Sequence, residues 1–307
     1  MPCRSAASVA AFVLALSAAM PAFAELFGTI TILEGDALVY RNTGRLQAAE
    51  GARLMVGDLI DVGAKGAMQV ETPDRTLIQV GARTRAMLSA GPGRGKAERS
   101  LYLLDGWVKA SGARRDKSAS GVEMRTPLVE IAPAAGVAVL QSSAQQVAVF
   151  AESGEVRVTE RTAGSPLVAV KTDQLYRRKV DAKGVIDPTA MRAFIAEMPP
   201  IFRDTLPSRL DKYKGVETAM KAAPEFSYAD VEAWLKSEPA VRRQFVQRWR
   251  PKTRDSAFRA GLVANLAAHP EWDPILFPEK YQPKPQDGPA PTADAAGRPH
   301  DATSAPR

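Results

Sequence analysis

Glycine is spread unevenly along this chain, and that distribution limits the fold each part can take. Of the 22 glycines in 307 residues, 18 lie within residues 25–187, and only Gly215 and Gly261 lie within 188–282. A helix loses about 1 kcal/mol for each interior glycine, so residues 25–187 are poorly suited to helix. They read instead as short strands. Thr29-Ile-Thr-Ile-Leu33, Ala37-Leu-Val-Tyr40, Asp58-Leu-Ile-Asp-Val62, Met68-Gln-Val-Glu71 and Thr76-Leu-Ile-Gln-Val80 alternate or run apolar between Gly, Asp, Asn and Pro. The series continues at residues 101–104, 107–110, 128–131, 137–140, 147–150, 156–158 and 167–170. Turn signals recur at about ten-residue intervals, the habit of a sandwich, a barrel or a short β-solenoid. Asp105-Gly106 and Ser153-Gly154 each separate two apolar runs and are predicted to be tight hairpin turns. Val70-Glu-Thr-Pro73 is echoed by Met124-Arg-Thr-Pro127, and Gly106-Trp-Val-Lys109 by Gly154-Glu-Val-Arg157. That echo is either coincidence or a sign of two stacked layers of strands.

Past residue 188 the composition reverses. Residues 25–187 hold six aromatic side chains, whereas 188–282 hold twelve. Asp187-Pro188 reads as an N-cap followed by a first-turn proline, leading to Ala193, Phe194 and Met198. Ser227 with Asp230 is a capping box before Val231-Glu-Ala-Trp-Leu235. Ser237-Glu-Pro239 opens a helix in which Val241, Phe245 and Trp249 recur every four residues, and Asp255 opens another that ends at His269-Pro270. Four short helices around aromatic anchors predict a compact bundle. From Pro283 onward there are six prolines and no aromatic residue, so residues 283–307 cannot bury apolar surface and are expected to be disordered.

The amino terminus carries an address. Arg4 precedes an Ala/Val/Leu/Phe run over residues 8–20, followed by Pro21-Ala-Phe-Ala24, an A-x-A site that predicts cleavage after Ala24. The run is shorter than the roughly 20 residues that span a bilayer, and no later stretch matches it. The expectation is a soluble periplasmic protein with no integral membrane span. Cleavage would remove Cys3, the only cysteine, which suits an oxidising compartment.

The reactive groups are few. With one cysteine and two histidines, disulfide scaffolds and Cys/His metal clusters are excluded, and no catalytic, cofactor-binding or metal-ligating set is expected. Gly91-Pro-Gly-Arg-Gly-Lys96 looks like a phosphate loop, but Ala90 and Ala97 stand where that motif needs Gly and Ser or Thr, so it reads as a basic hairpin loop. His269-Pro-Glu-Trp-Asp273 gathers an imidazole and two carboxylates, and His269 with Glu271 is the pair a hydrolase would use; it reads more simply as a helix end. Asp58 with Asp61, and Glu152 with Glu155, are potential acid pairs that read as solvated turn residues.

The net charge is +7, and the basic excess has one concentrated place. Within residues 242–259 lie Arg242, Arg243, Arg248, Arg250, Lys252, Arg254 and Arg259, against Asp255 alone. The first six are candidate contacts for an anionic partner. Export argues against nucleic acid, which leaves an envelope protein or an anionic cell-wall polymer, unless the patch is only the solvated back of an aromatic stripe.

Several short motifs occur in a fixed order: Gly35-Asp36 with Val39, Leu54-Met-Val-Gly-Asp58 with Ile60, Gly66-Ala-Met-Gln-Val70, Pro73-Asp74, Leu104-Asp-Gly-Trp-Val108 and Val149-Phe-Ala-Glu-Ser-Gly-Glu-Val156. In this series the chain resembles the FecR family over about residues 28–170. The resemblance implies an all-β, solenoid-like envelope module that transmits signals or binds partners and does not catalyse. Regulators of that family usually carry a sigma-factor-binding head, a membrane helix and a further periplasmic domain. Here a signal peptide is expected at the start and helices follow the β region. Ile131-Ala-Pro-Ala-Ala-Gly136 also replaces the family's Gly-Thr, so only the module is carried over.

The sequence thus predicts a signal peptide (1–24), a mainly β, solenoid- or sandwich-like FecR domain (25–172), a linker (173–188), a small α-helical domain (189–282) and a disordered tail (283–307). The expected function is non-enzymatic: a binding, scaffold or signalling module of the periplasm, without cofactor. The alternatives are a cell-wall or surface-glycan binder and an envelope hydrolase.

Overall fold

The computed structural model describes residues 25–91, 99–112, 121–132, 136–164, 166–204 and 206–282. The segment expected to be a signal peptide, with Ala24 and Cys3, most of the expected basic hairpin loop after Gly91, and residues 283–307 lie outside them.

The strands are β1 (Leu26–Glu34), β2 (Ala37–Arg41), β3 (Gly44–Gln47), β4 (Arg53–Met55), β5 (Leu59–Val62) and β6 (Ala67–Glu71). They continue as β7 (Leu77–Val80), β8 (Thr84–Ala90), β9 (Arg99–Ser111), β10 (Val122–Arg125), β11 (Val129–Ile131) and β12 (Val137–Ser142). The last are β13 (Gln146–Ser153), β14 (Val156–Glu160), β15 (Leu167–Val170), β16 (Gln174–Lys179), β17 (Val185–Ile186) and β18 (Lys221–Ala222). The helices are α1 (Met191–Glu197), α2 (Tyr228–Leu235), α3 (Pro239–Arg248), α4 (Ser256–Ala264) and α5 (Asp273–Leu276). The protein is therefore mainly β with short helices towards its carboxyl end, as the glycine and aromatic distributions predict.

The strands form one sheet curled on itself like a half-barrel, antiparallel except where β9 and β10 run parallel. Its two walls face each other. One runs β1-β6-β7-β9-β12-β13-β16-β17, with β4 paired to β1. The other runs β18-β3-β2-β5-β8-β9-β10-β11-β14-β15. Strand β9 belongs to both. Leu101 and Leu103 in its first part, and Val108 and Ala110 in its second, point into a shared core with Ile30, Val39, Ile60, Val70 and Val149.

The crossing point in β9 is Gly106, at φ +98°, where an added Cβ would lie 2.5 Å from the Thr84 Cα. Gly154, at φ +77°, sits where the chain passes from β13 in the first wall to β14 in the second. Both glycines adopt the left-handed backbone expected of them, but they are corners between walls and not hairpin turns between neighbours. The sequence echo has an equally local cause. Thr72 and Thr126 are fully buried, and each hydroxyl accepts a backbone N–H a few residues on, from Thr76 and from Val129, both at 3.0 Å. The two Thr-Pro turns are the same device, but β6 lies in one wall and β10 in the other, so no stacked repeat results.

Two expectations about domain organisation need correction. Residues 173–188 are not a linker: β16 pairs with β13 over six residues and β17 with β16, and Leu175 and Tyr176 are buried. The run of Arg177, Arg178 and Lys179 disguises the strand, because Arg178 turns inward onto Glu160 at 3.4 Å. Nor do residues 189–282 stand apart as a bundle. Helix α1 lays Phe194 and Met198, with Phe202, on the outer face of the first wall against Val139, Phe150 and Leu175. The chain then crosses that face as a strap. Gln79 donates to the Ile201 carbonyl, Lys109 to the Phe202 carbonyl, and the fully buried Glu71 accepts from Ser208 and from the Arg209 N–H. After β18 pairs with β3, helices α2 to α5 form a cap over the outer face of the second wall. There Tyr40, Leu59, Met87 and Tyr102 from the sheet share one core with Phe226, Trp234, Phe245 and Trp249.

The starts of α2 and α4 match their local sequence signals, whereas the N-cap of α1 is Ala190 and not the expected Asp187. Asp230 accepts from the Ser227 N–H at 2.7 Å, completing the capping box, and Asp255 accepts from the N–H groups of Ala257 and Phe258. Asp187 closes a turn onto Thr189 and Ala190, and α1 begins just beyond it, at Met191.

Candidate functional site

The basic stretch does not form a continuous surface. Arg248 points into the sheet and donates to the carbonyls of Tyr40 at 2.7 Å, Gly57 at 2.5 Å and Asn42 at 3.3 Å. Burial lowers its pKa to about 10, so it is still charged at neutral pH. Lys252 is buried over the Phe226 ring and pairs with Glu225 at 2.8 Å. Arg242 grips Glu271 and the Ser237 carbonyl. Of the six candidate contacts, Arg243, Arg250 and Arg254 remain exposed. The helical period that brings Phe245 and Trp249 to the core, stacked 4.3 Å apart, also carries Arg248 to the sheet.

The acid–base candidates are likewise held in structural roles. His269 is fully buried, with Nε2 3.1 Å from the Tyr228 hydroxyl and, among the described residues, no hydrogen-bond partner at Nδ1. Burial lowers its pKa, favouring the neutral ring. Glu271 is engaged by Arg242 and Arg243. Asp58, expected to be solvated, is buried in a two-point bond with Arg41 at 2.7 and 2.9 Å and accepts from the Met55 N–H. Asp61 faces Arg85, Glu152 pairs with Lys109, and Glu155 with Arg157. Among the described residues no cluster of three or more His, Cys, Asp or Glu is placed to hold a metal ion, and no helix is long and apolar enough to cross a membrane.

A cleft lies at the seam between cap and sheet. Its floor follows from strand register. Met87, Tyr102, Arg125 and Glu130 are successive cross-strand neighbours on β8, β9, β10 and β11, and Ser89 and Ser100 form the adjacent row. Alternation along β9 sends Leu101 and Leu103 into the shared core and Ser100 and Tyr102 outward. Helix α3 supplies the opposite wall through Ala240, Val241 and Gln244, with Glu238 at its N-terminus. The space is about 360 Å³, at the small end of the roughly 300–1,000 Å³ typical of ligand sites.

Charges alternate along the rim. Glu123 accepts from Arg125 Nε at 2.7 Å, and Glu130 stands 3.8 Å from Arg125 and 3.7 Å from Arg161. Arg161 Nη1 donates to Glu238 at 2.6 Å and to the Thr126 carbonyl at 2.9 Å. In the middle lies Tyr102, 4% exposed, whose hydroxyl lies beside Glu238 and forms no hydrogen bond of ordinary geometry among the described residues. Burial, and then the Glu238 carboxylate nearby, raise its pKa far above the usual phenol range, so it is a neutral donor at every physiological pH. A buried hydroxyl without a well-formed hydrogen bond costs about 1–3 kcal/mol, a cost that a ligand accepting from it would offset.

No protein-family model matches this chain, and no curated protein matches it. Among solved structures it is similar to two crystal structures of a candidate anti-sigma factor from Parabacteroides distasonis. One is 16% identical with a TM-score of 0.35, covering 45% of this chain and 65% of that one. The other is 15% identical with a TM-score of 0.36, covering 45% and 64%. The chain spans less than two thirds of the length of either.

None of Tyr102, Arg125, Arg161 and Glu238 stands out in the sequence. One signal was present: Ser100 and Tyr102 alternate with Leu101 and Leu103, so a polar row on β9 had to face away from the shared core. That a helix more than a hundred residues later would roof this row is not written in any local pattern.

Proposed function

We propose that this protein is an exported FecR-type module that acts without catalysis, binding a protein partner in the cell envelope as a scaffold or signalling component. The observation that carries this reading is the cleft between sheet and cap, with its buried Tyr102 hydroxyl and guanidinium rim. Concave seams with a few polar groups on an apolar lining are common binding sites. The ordered motifs over residues 28–170 support the FecR assignment, and the Ala22-Phe-Ala24 site supports export to the periplasm.

The test is a photo-crosslinking side chain placed at Gln244 in the full-length protein in intact cells. A discrete adduct with one envelope protein, lost in Arg125→Glu, is expected. Label spread over many proteins, or unchanged by Arg125→Glu, overturns the reading.

A second reading rests on the exposed Arg243, Arg250 and Arg254, which suit an anionic cell-wall polymer. Sedimentation with purified cell wall should then weaken when these three become Glu, and unchanged sedimentation rejects it.

A further inference from the structure

The cleft's chemistry is more specific than its position. The charged groups left unengaged on its rim are hydrogen-bond donors, with the Ser89 and Ser100 hydroxyls and the Gln244 amide beside them. Arg125 uses only Nε, towards Glu123, and both of its Nη groups make no hydrogen bond among the described residues. Arg161 uses Nη1 and leaves Nη2. The Tyr102 hydroxyl is buried and neutral beside Glu238, and forms no hydrogen bond of ordinary geometry among the described residues. The lining holds two guanidinium groups against one carboxylate, Glu238, which is already engaged by Arg161. Val56, Met87, Leu88, Ala240 and Val241 supply an apolar floor and wall.

We infer that this cleft binds a free carboxylate on a small, partly apolar molecule or peptide end, a reading that refines the partner site proposed above. The two carboxylate oxygens accept from the spare Arg125 and Arg161 N–H groups and from the Tyr102 hydroxyl, and the apolar remainder lies against Met87 and Val241. A carboxylate is a better fit than a phosphate. Glu238, Glu130 and Glu123 already outnumber the two guanidinium groups, so a phosphate dianion is repelled more strongly than a carboxylate monoanion. A planar two-oxygen acceptor also matches the guanidinium fork.

The test uses the full-length protein, isotope-labelled for NMR, titrated with N-acetyl-alanine, with acetyl-trialanine and with the C-terminal amide of each. Saturable shifts of the Ser89, Ser100 and Tyr102 amide signals are expected with the acids and not with the amides. Tighter binding of acetyl-trialanine marks a peptide end as the natural source; equal binding marks a small acid. Arg125→Gln should weaken binding about tenfold, the loss of one charge-assisted hydrogen bond. Tyr102→Phe should weaken it several-fold while leaving the thermal midpoint nearly unchanged, because the hydroxyl it removes forms no hydrogen bond of ordinary geometry among the described residues.

Absence of saturable shifts with the acids, equal binding of acids and amides, or affinity indifferent to both variants overturns the inference. Crosslinking at Gln244 that persists while carboxylates are ignored rejects only the carboxylate chemistry. Carboxylate binding without any crosslinked partner rejects only the partner reading.

Discussion

The guanidinium of Arg248 donates to the backbone carbonyl of Tyr40, 2.7 Å away in space and 208 positions earlier in the chain. Together with its bonds to the carbonyls of Gly57 and Asn42, this makes Arg248 the pin that fastens the helical cap to the sheet. Trp249 reinforces it by donating its indole N–H to the same Asn42 carbonyl at 3.0 Å.

We predict that Arg248→Ala destabilises the protein by about 2–4 kcal/mol, since three carbonyls lose a charged donor in a partly buried seam. Arg243→Ala, on the exposed side of the same helix, should stay within about 0.5 kcal/mol. Urea denaturation of the two variants checks this. Equal effects would mean that the basic stretch acts as one surface.

Acidity should loosen the cap through His269. Its pKa is lowered by burial, so the unfolded chain binds the proton first and stability falls as pH drops below about 6.5. The loss continues down to the folded-state pKa, with a slope of at most about 1.4 kcal/mol per pH unit for one proton. His269→Gln removes that titration. Denaturation midpoints at pH 5 and pH 7.5 should therefore differ more in the parent protein than in the variant.

Glu71 holds the strap. Its carboxylate is fully buried and accepts from the Ser208 hydroxyl and from the Arg209 N–H at 2.7 Å. Glu71→Ala should cost about 1–3 kcal/mol and raise amide exchange in the segment around Ser208 and Arg209 before the sheet opens. Exchange measured by mass spectrometry decides it, and uniform acceleration across the chain would reject the strap as a separately held segment.

Two glycines separate conformational from steric cost. Gly106 (φ +98°) and Gly164 (φ +86°) share the left-handed backbone, but a Cβ at Gly106 collides with Thr84 and one at Gly164 meets nothing within 4 Å. Gly164→Ala should cost about 1 kcal/mol and Gly106→Ala at least about 2 kcal/mol more, read from thermal unfolding.

Strands with strong alternation were legible in sequence, among them β1, β2, β6 and β13, as were the Ser227–Asp230 capping box and the Asp255 cap. Less legible were strands whose polar or basic residues find partners elsewhere. β16 read as a linker because the burial of Arg178 depends on Glu160 in another strand. β10 carries Glu123 and Arg125, whose pairing is equally invisible from composition.

Local sequence sets where glycine forbids helix, where apolar residues about four apart favour it, which residues cap α2 and α4, and which corners need a left-handed backbone. Each of these depends on a residue and its near neighbours. Long-range packing sets the rest: residues 189–282 clasp both outer faces of the β module, Arg242, Arg248 and Lys252 turn inward, and Tyr102 comes to lie beneath α3. Those outcomes depend on contacts between residues up to about two hundred positions apart, such as Arg248 with Tyr40. Local pattern says which side of a strand or helix is apolar, but not which distant surface will cover it.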